Sequence, residues 1–147
     1  MIRGRLVGGR GYSRPYVTVR VMVPSQNVDD DVSFLVDTGA DSTLLSPSDA
    51  LYLGIDLSQL PHGDVMSGVG GTTSTVMAES TLGLGDRSFD LALRILVPNA
   101  GEPSGVLNRI PSLLGRDILA HFALFLEERT RRVLLLKPDE ADRLNLP

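Results

Sequence analysis

The sequence of 147 residues has no cysteine and no tryptophan. Without cysteine there can be no disulfide, no zinc–thiolate site and no thiol nucleophile, while the compartment stays open, because a reducing cytoplasm permits such a chain without requiring it. Aromatic residues make up only 5% of the chain, so a core has to be built mainly from Leu, Val and Ile. No stretch approaches the roughly 18 consecutive apolar residues of a membrane-spanning helix, and the N-terminus lacks the charged-then-apolar pattern of a signal peptide. The expectation is a soluble chain with no membrane segment, at home in the cytoplasm. A clustered basic footprint is also missing: the net charge is −4 with acids and bases interspersed, which argues against nucleic acid as a partner.

What is present suits a globular domain. Hydrophobic residues are 42% and charged residues 22% of the sequence, close to the usual balance, and the length fits one core better than two. We expect a single domain over residues 1–136 and a polar, proline-bounded tail over 137–147 that frays.

Periodicity points to strands. Val17, Val19, Val21 and Val23 alternate between Pro15 and Pro24, the pattern of a strand with one buried face. Ser25 to Asp31 reads as a turn, and Val32 to Val36 as a second, β-branched strand leading into Asp37. The three aspartates at 29–31 lack the ligand spacing and closing glutamate of a calcium loop and read as a solvated turn. Ser46, Pro47 and Gly54 supply the N-cap, first-turn proline and terminal glycine of a short helix. From Val65 a hairpin is expected with its tip at Ser67 to Gly71, followed by strands over Ser80–Leu84 and Phe89–Val97. Pro98 to Gly105 has the composition of a loop. Ile110 to Phe122 passes from a buried strand into a short helix, and Ala123–Leu126 with Val133–Leu136 bracket a charged turn as a terminal hairpin. The fold class is therefore all-β, with one or two short helices.

One tripeptide stands out by its place. Asp37-Thr38-Gly39 follows directly on an apolar strand, so its carboxylate is held at the edge of the core. Gly39 permits a tight or positive-φ turn, and Thr38 offers a short hydroxyl. By itself the tripeptide is weak evidence of chemistry, because three common residues recur by chance and an Asx-type turn leaving a strand is the more frequent meaning. His62 and His121 are isolated and suggest neither a metal site nor a triad. A phosphate-cradling reading of the glycines at 68–71 fails for want of a Walker lysine.

The wider context is more specific. Asp37-Thr-Gly-Ala-Asp-Ser-Thr-Leu-Leu45 resembles the active-site loop of the retropepsins, the retroviral-type aspartic proteases. Ile110-Pro-Ser-Leu-Leu-Gly-Arg-Asp-Ile-Leu119 is similar to their second signature, and Ser67-Gly-Val-Gly-Gly71 resembles the glycine-rich flap tip between the two. The resemblance spans about Pro15 to Leu136 and implies the closed β-barrel of one acid-protease half, working as a homodimer. It implies Asp37, Thr38 and Gly39 as the catalytic loop at the two-fold axis, with Thr38 locking to the partner's loop. Ala40, Asp41, Leu44, Gly68, Val69, Gly70 and Leu113 would face a peptide or protein substrate. Gly115 and Arg116 would support the loop, Arg116 by pairing with Asp41 of its own chain.

Two Asp37 carboxylates in contact cannot both ionise; they share a proton, and neither metal nor cofactor is needed. Because one Asp-Thr-Gly occurs and no internal repeat exists, the second carboxylate has to come from a second copy. The chain is longer than a minimal viral enzyme and more like cellular and bacterial retropepsin-like domains, which places the expected interface on Val133 to Leu136 together with residues near Asp37 and Arg116. The implied activity is endopeptidase cleavage with a mildly acidic optimum; the alternative is a noncatalytic dimerisation or peptide-binding module on the same fold.

Overall fold

The computed structural model describes residues 1–9, 11–68, 71–98 and 110–147. Its strands are β1 (Ile2–Arg3), β2 (Arg5–Val7), β3 (Arg14–Val23), β4 (Val28–Val36), β5 (Leu44–Leu45), β6 (Met66–Gly68), β7 (Gly71–Leu84), β8 (Arg87–Val97), β9 (Leu113–Leu114), β10 (Ala123–Glu127) and β11 (Arg132–Leu136). The helices are α1 (Pro47–Leu53), α2 (Arg116–Leu119) and α3 (Pro138–Asp142). Among the described residues no helix is long and apolar enough to cross a membrane.

The main sheet has eight strands in the order β2-β3-β4-β9-β5-β8-β7-β6, and β3 also pairs with β7 through Val21 and Leu82, which closes the sheet into a barrel. Closure satisfies both edges of β3 and β7 and gives the alternating valines of β3 one interior to fill. Val17, Val19, Val21 and Val23 are fully buried there against Phe34, Leu82, Leu93, Ile95 and Leu114. The aliphatic core expected from composition is thus realised, each such side chain contributing about 1.5–3 kcal/mol by its burial.

The connection that matters for the site is the insertion of β9 between β4 and β5. It runs parallel to β4, with Leu35 opposite Leu113 and Val36 opposite Leu114, and antiparallel to β5. Residues far apart in sequence are thereby brought to the end of β4, where Asp37 follows. Helix α1 starts as the sequence indicates: the Ser46 side chain accepts a hydrogen bond from the Asp49 N–H at 3.1 Å, and Gly54 closes the helix in the left-handed region at φ 75°.

A three-stranded sheet, β1-β11-β10, packs beside the barrel. Here the structure corrects the expected interface. Strand β11 is the middle strand, so both its edges are paired, and Val133, Leu135 and Leu136 are buried within their own chain. The exposed apolar side chains of this sheet are Phe125 and Leu126, on the edge strand β10. The tail differs too. Residues 138–142 form α3, with the Lys137 N–H donating to Glu140 and the Lys137 ammonium paired to Asp86, contacts that oppose fraying.

The aspartates at 29–31 are a further correction. The turn is confined to Pro24–Asn27, where Asn27 takes the left-handed conformation at φ 54°, and β4 already begins at Val28. Asp29 lies in the strand with both carboxylate oxygens 2.6 Å from Arg20 of β3, and this bidentate partner offsets the low strand preference of aspartate. The short strands β1, β2 and β5 carry too few residues for a period to register in sequence.

Candidate active site

Asp37 leaves β4 half-buried, its N–H donating to the Leu114 carbonyl at 3.0 Å. Its Oδ1 accepts the Gly39 N–H at 2.9 Å, and the Ala40 N–H returns to the Asp37 carbonyl at 3.2 Å, so Asp37 to Ala40 form one tight turn. Gly39 does not use the left-handed region; its value is closeness, since a Cβ there would sit 3.3 Å from Asp37 Oδ1. The turn holds one oxygen of the half-buried Asp37 carboxylate in place. Thr38 and Gly39 are exposed at its apex.

The loop is fastened from behind by β9 and α2. The Arg116 N–H donates to the Ala40 carbonyl at 2.8 Å and the Asp117 N–H to that of Asp41 at 3.2 Å. Buried Thr43 completes the tie. Its hydroxyl donates to Asp117 Oδ1 at 2.6 Å and accepts the Gly115 N–H at 3.0 Å, while its own N–H lies 3.0 Å from both Asp117 oxygens. Gly115 is required by proximity, because a Cβ would come within 2.5 Å of the Ser42 carbonyl carbon and 2.9 Å of the Ala40 oxygen, backbone atoms that cannot swing aside. Deeper in, the Ser112 hydroxyl donates to Asp49 of α1 and accepts the Ser46 N–H at 2.9 Å, anchoring the helix to β9.

The expected ion pair between Arg116 and Asp41 does not form. Both side chains are exposed, and the carboxylate that ties the two segments is Asp117, one residue further on. The physical reason is direction: the backbone bonds to Ala40 and Asp41 set the first turn of α2 so that Asp117, not Arg116, returns to the loop.

Beside the turn lies a cleft of about 380 Å³ lined by Gly39, Ala40, Asp41, Ser42, Leu44, Asp64, Val65, Met66, Arg94 and Leu113. Five positions named from sequence, Gly39, Ala40, Asp41, Leu44 and Leu113, meet here. The backbone of Gly68 ends β6, opposite Gly71 of β7, while Val69 and Gly70 lie outside the described residues, as does the expected loop from residue 99 on. Sequence reasoning missed Asp64, Val65, Met66 and Arg94. Arg94 occupies the face of β8 opposite Leu93 and Ile95, and in sequence that face is indistinguishable from a solvated one.

The site can therefore present one half-buried carboxylate, with one oxygen held by a backbone N–H, beside a mostly apolar cleft. The sequence profile described as aspartyl protease matches residues 17–118, a span that holds the turn, the cleft and β9. Among solved structures, the protease of EIAV in complex with an inhibitor superposes with a TM-score of 0.56 at 24% identity, covering 78% of this chain and 92% of that one. A retropepsin-like aspartic protease from Rickettsia conorii gives a TM-score of 0.55 at 23% identity, covering 92% of this chain and 88% of the other. No curated protein matches.

The fold is thus that of the retropepsin-like proteases, mainly β with a few short helices. The chain belongs to the aspartyl protease family.

Proposed function

We propose that this protein is an aspartic endopeptidase that works as a homodimer, with Asp37 of each copy facing the other across a two-fold axis. The observation that carries the reading is the Asp37 turn: a half-buried aspartate, one carboxylate oxygen held by the Gly39 N–H, in a turn whose Gly39 and Ala40 line a cleft of about 380 Å³. One such turn per chain would supply half of a proton-sharing pair, and the exposure of Thr38 at its apex supports a contact with a partner's loop.

With the pair assembled, two carboxylates in contact hold one proton between them. The ionised member takes a proton from water, whose oxygen bonds to the scissile carbonyl carbon, and the protonated member donates to the carbonyl oxygen. Collapse of the tetrahedral species breaks the C–N bond as the nitrogen is protonated, releasing a carboxylic acid and an amine with no covalent enzyme intermediate. The substrate is an extended peptide bound alongside the cleft, with the β6–β7 hairpin acting as the cover that excludes water.

The test is cleavage of denatured casein at about pH 4 to 7, with and without a statine-type inhibitor, by the wild-type chain and Asp37→Asn. Inhibitor-sensitive cleavage lost in the variant supports the reading. Full activity in Asp37→Asn moves the chemistry elsewhere, and complete silence of a folded dimer leaves a noncatalytic module.

A further inference from the structure

The cleft beside the Asp37 turn is lined by one guanidinium, Arg94, together with the aliphatic side chains of Leu44, Val65, Met66 and Leu113 and the polar Asp41, Ser42 and Asp64. Arg94 sits on β8 with its Cα opposite Leu44 of β5 on one side and Met77 of β7 on the other. Its side chain is 27% exposed, partly shielded among Leu44, Leu113, Val65 and Met66, whereas its partner Asp64 at the mouth is 77% exposed.

The position of Asp64 is built into the fold. Gly63 packs so tightly on β7 that a Cβ would lie 2.5 Å from the Thr75 hydroxyl and 2.7 Å from the Met77 sulfur. The Gly63 N–H donates to the Thr75 carbonyl at 2.9 Å, and the Thr75 hydroxyl donates to the Asp64 carbonyl at 2.6 Å. Asp64 is thereby held over Arg94, and one guanidinium nitrogen donates to Asp64 Oδ2 at 3.0 Å. Among the described residues this is the one side-chain bond of the Arg94 guanidinium, a fork that carries five N–H donors in all.

We propose that Arg94 is the specificity-determining residue of this cleft and that the pocket takes a glutamate side chain of the substrate. The two methylenes would lie against the aliphatic lining, and the carboxylate would receive charge-assisted hydrogen bonds from Arg94. The opposing charges are Asp64 and Asp41, both lining the same cleft. Both are exposed, so solvent and salt screen them more than they screen the partly shielded guanidinium. Asp64 occupies Arg94 when the pocket is empty and yields because an exposed pair is weak.

This inference rests on the peptidase reading, and two readouts separate the two. Peptides differing only in Glu, Gln, Leu or Lys, scanned through the positions flanking the cleaved bond, are compared by kcat/KM. At one position Glu is expected to exceed Gln by about tenfold. Arg94→Met erases that ratio and favours Leu, and the surface change Asp64→Asn increases it. Binding of the Glu and Gln peptides to Asp37→Asn, followed through the arginine Nε–H resonance that disappears in Arg94→Gln, reads the pocket without catalysis.

Preferential Glu binding and an Arg94 shift in a chain that cleaves nothing would retain the pocket and discard the peptidase. Cleavage with equal rates for Glu and Gln at every position, a preference for Lys, or a Glu preference that survives both Arg94 variants overturns the inference.

Discussion

Thr43 and Asp117, 74 residues apart, are joined by a hydroxyl bond of 2.6 Å and by the Thr43 N–H at 3.0 Å from both carboxylate oxygens. This pair closes the back of the Asp37 turn. Thr43→Val strands the Gly115 N–H and takes one donor from Asp117 Oδ1, which keeps the Thr43 and Ile118 N–H groups, and is expected to cost about 1–3 kcal/mol in urea unfolding, whereas Thr43→Ser keeps the hydroxyl and most of the stability. Equal stability of Val and Ser variants would show that the hydroxyl is not what fastens the loop.

Gly115→Ala pushes a methyl into the backbone of Ser42 and Ala40. Destabilisation of about 3 kcal/mol is expected, with kcat/KM falling further than the folded fraction accounts for, because the displaced segment carries Asp37. Denaturation and single-substrate kinetics on the same sample check both parts.

Asp37→Asn is isosteric and keeps an oxygen to accept the Gly39 N–H. Its circular dichroism and melting temperature should match the wild type while peptide cleavage falls by about a thousandfold or more. A melting temperature lowered by many degrees would make the lost activity uninformative, and the NMR spectrum of the variant decides that point.

Thr38 is exposed at the apex of the turn. If its hydroxyl bonds across the two-fold axis, Thr38→Ala removes the contact twice and raises the dimer dissociation constant about tenfold or more. Sedimentation equilibrium measures this, and an unchanged constant places the interface elsewhere, with the exposed Phe125 and Leu126 of β10 the next residues to change.

Stability should fall on the acid side. The Thr130 hydroxyl and then Arg132 hold Glu127 below the ordinary carboxylate range, and Arg20 does the same for Asp29. A carboxylate with a depressed folded-state pKa stabilises above its unfolded value, near pH 4, and that contribution is lost as the pH drops through the folded value. Melting temperature is therefore expected to be flat from neutral to about pH 5 and to decline below about pH 4, with a shallower decline in Glu127→Gln. An identical acid limb in that variant would remove Glu127 from the account.

Much of this was legible in the residues. The period-two valines of β3, the capped helix at Ser46 and the strand-ending Asp37-Thr38-Gly39 are local patterns, each dictated by side-chain alternation, capping or turn geometry within a few residues. Composition alone fixed an aliphatic core. Where local preference misled, a cross-strand partner outweighed it, as Arg20 does for Asp29 in β4.

Tertiary structure alone decided the rest, because each remaining feature depends on segments that meet only when the barrel closes. Inserting β9 between β4 and β5 made Asp117, not Arg116, the tie to the active-site loop and put Leu113 opposite Leu35. Burying β11 between β1 and β10 removed it as an edge for a partner. Folding residues 61–66 along β7 set Asp64 over Arg94 and turned the outer face of β8 into the charged wall of a cleft. Such contacts have no period along the chain; they follow from the register between strands, which is set by the shared core.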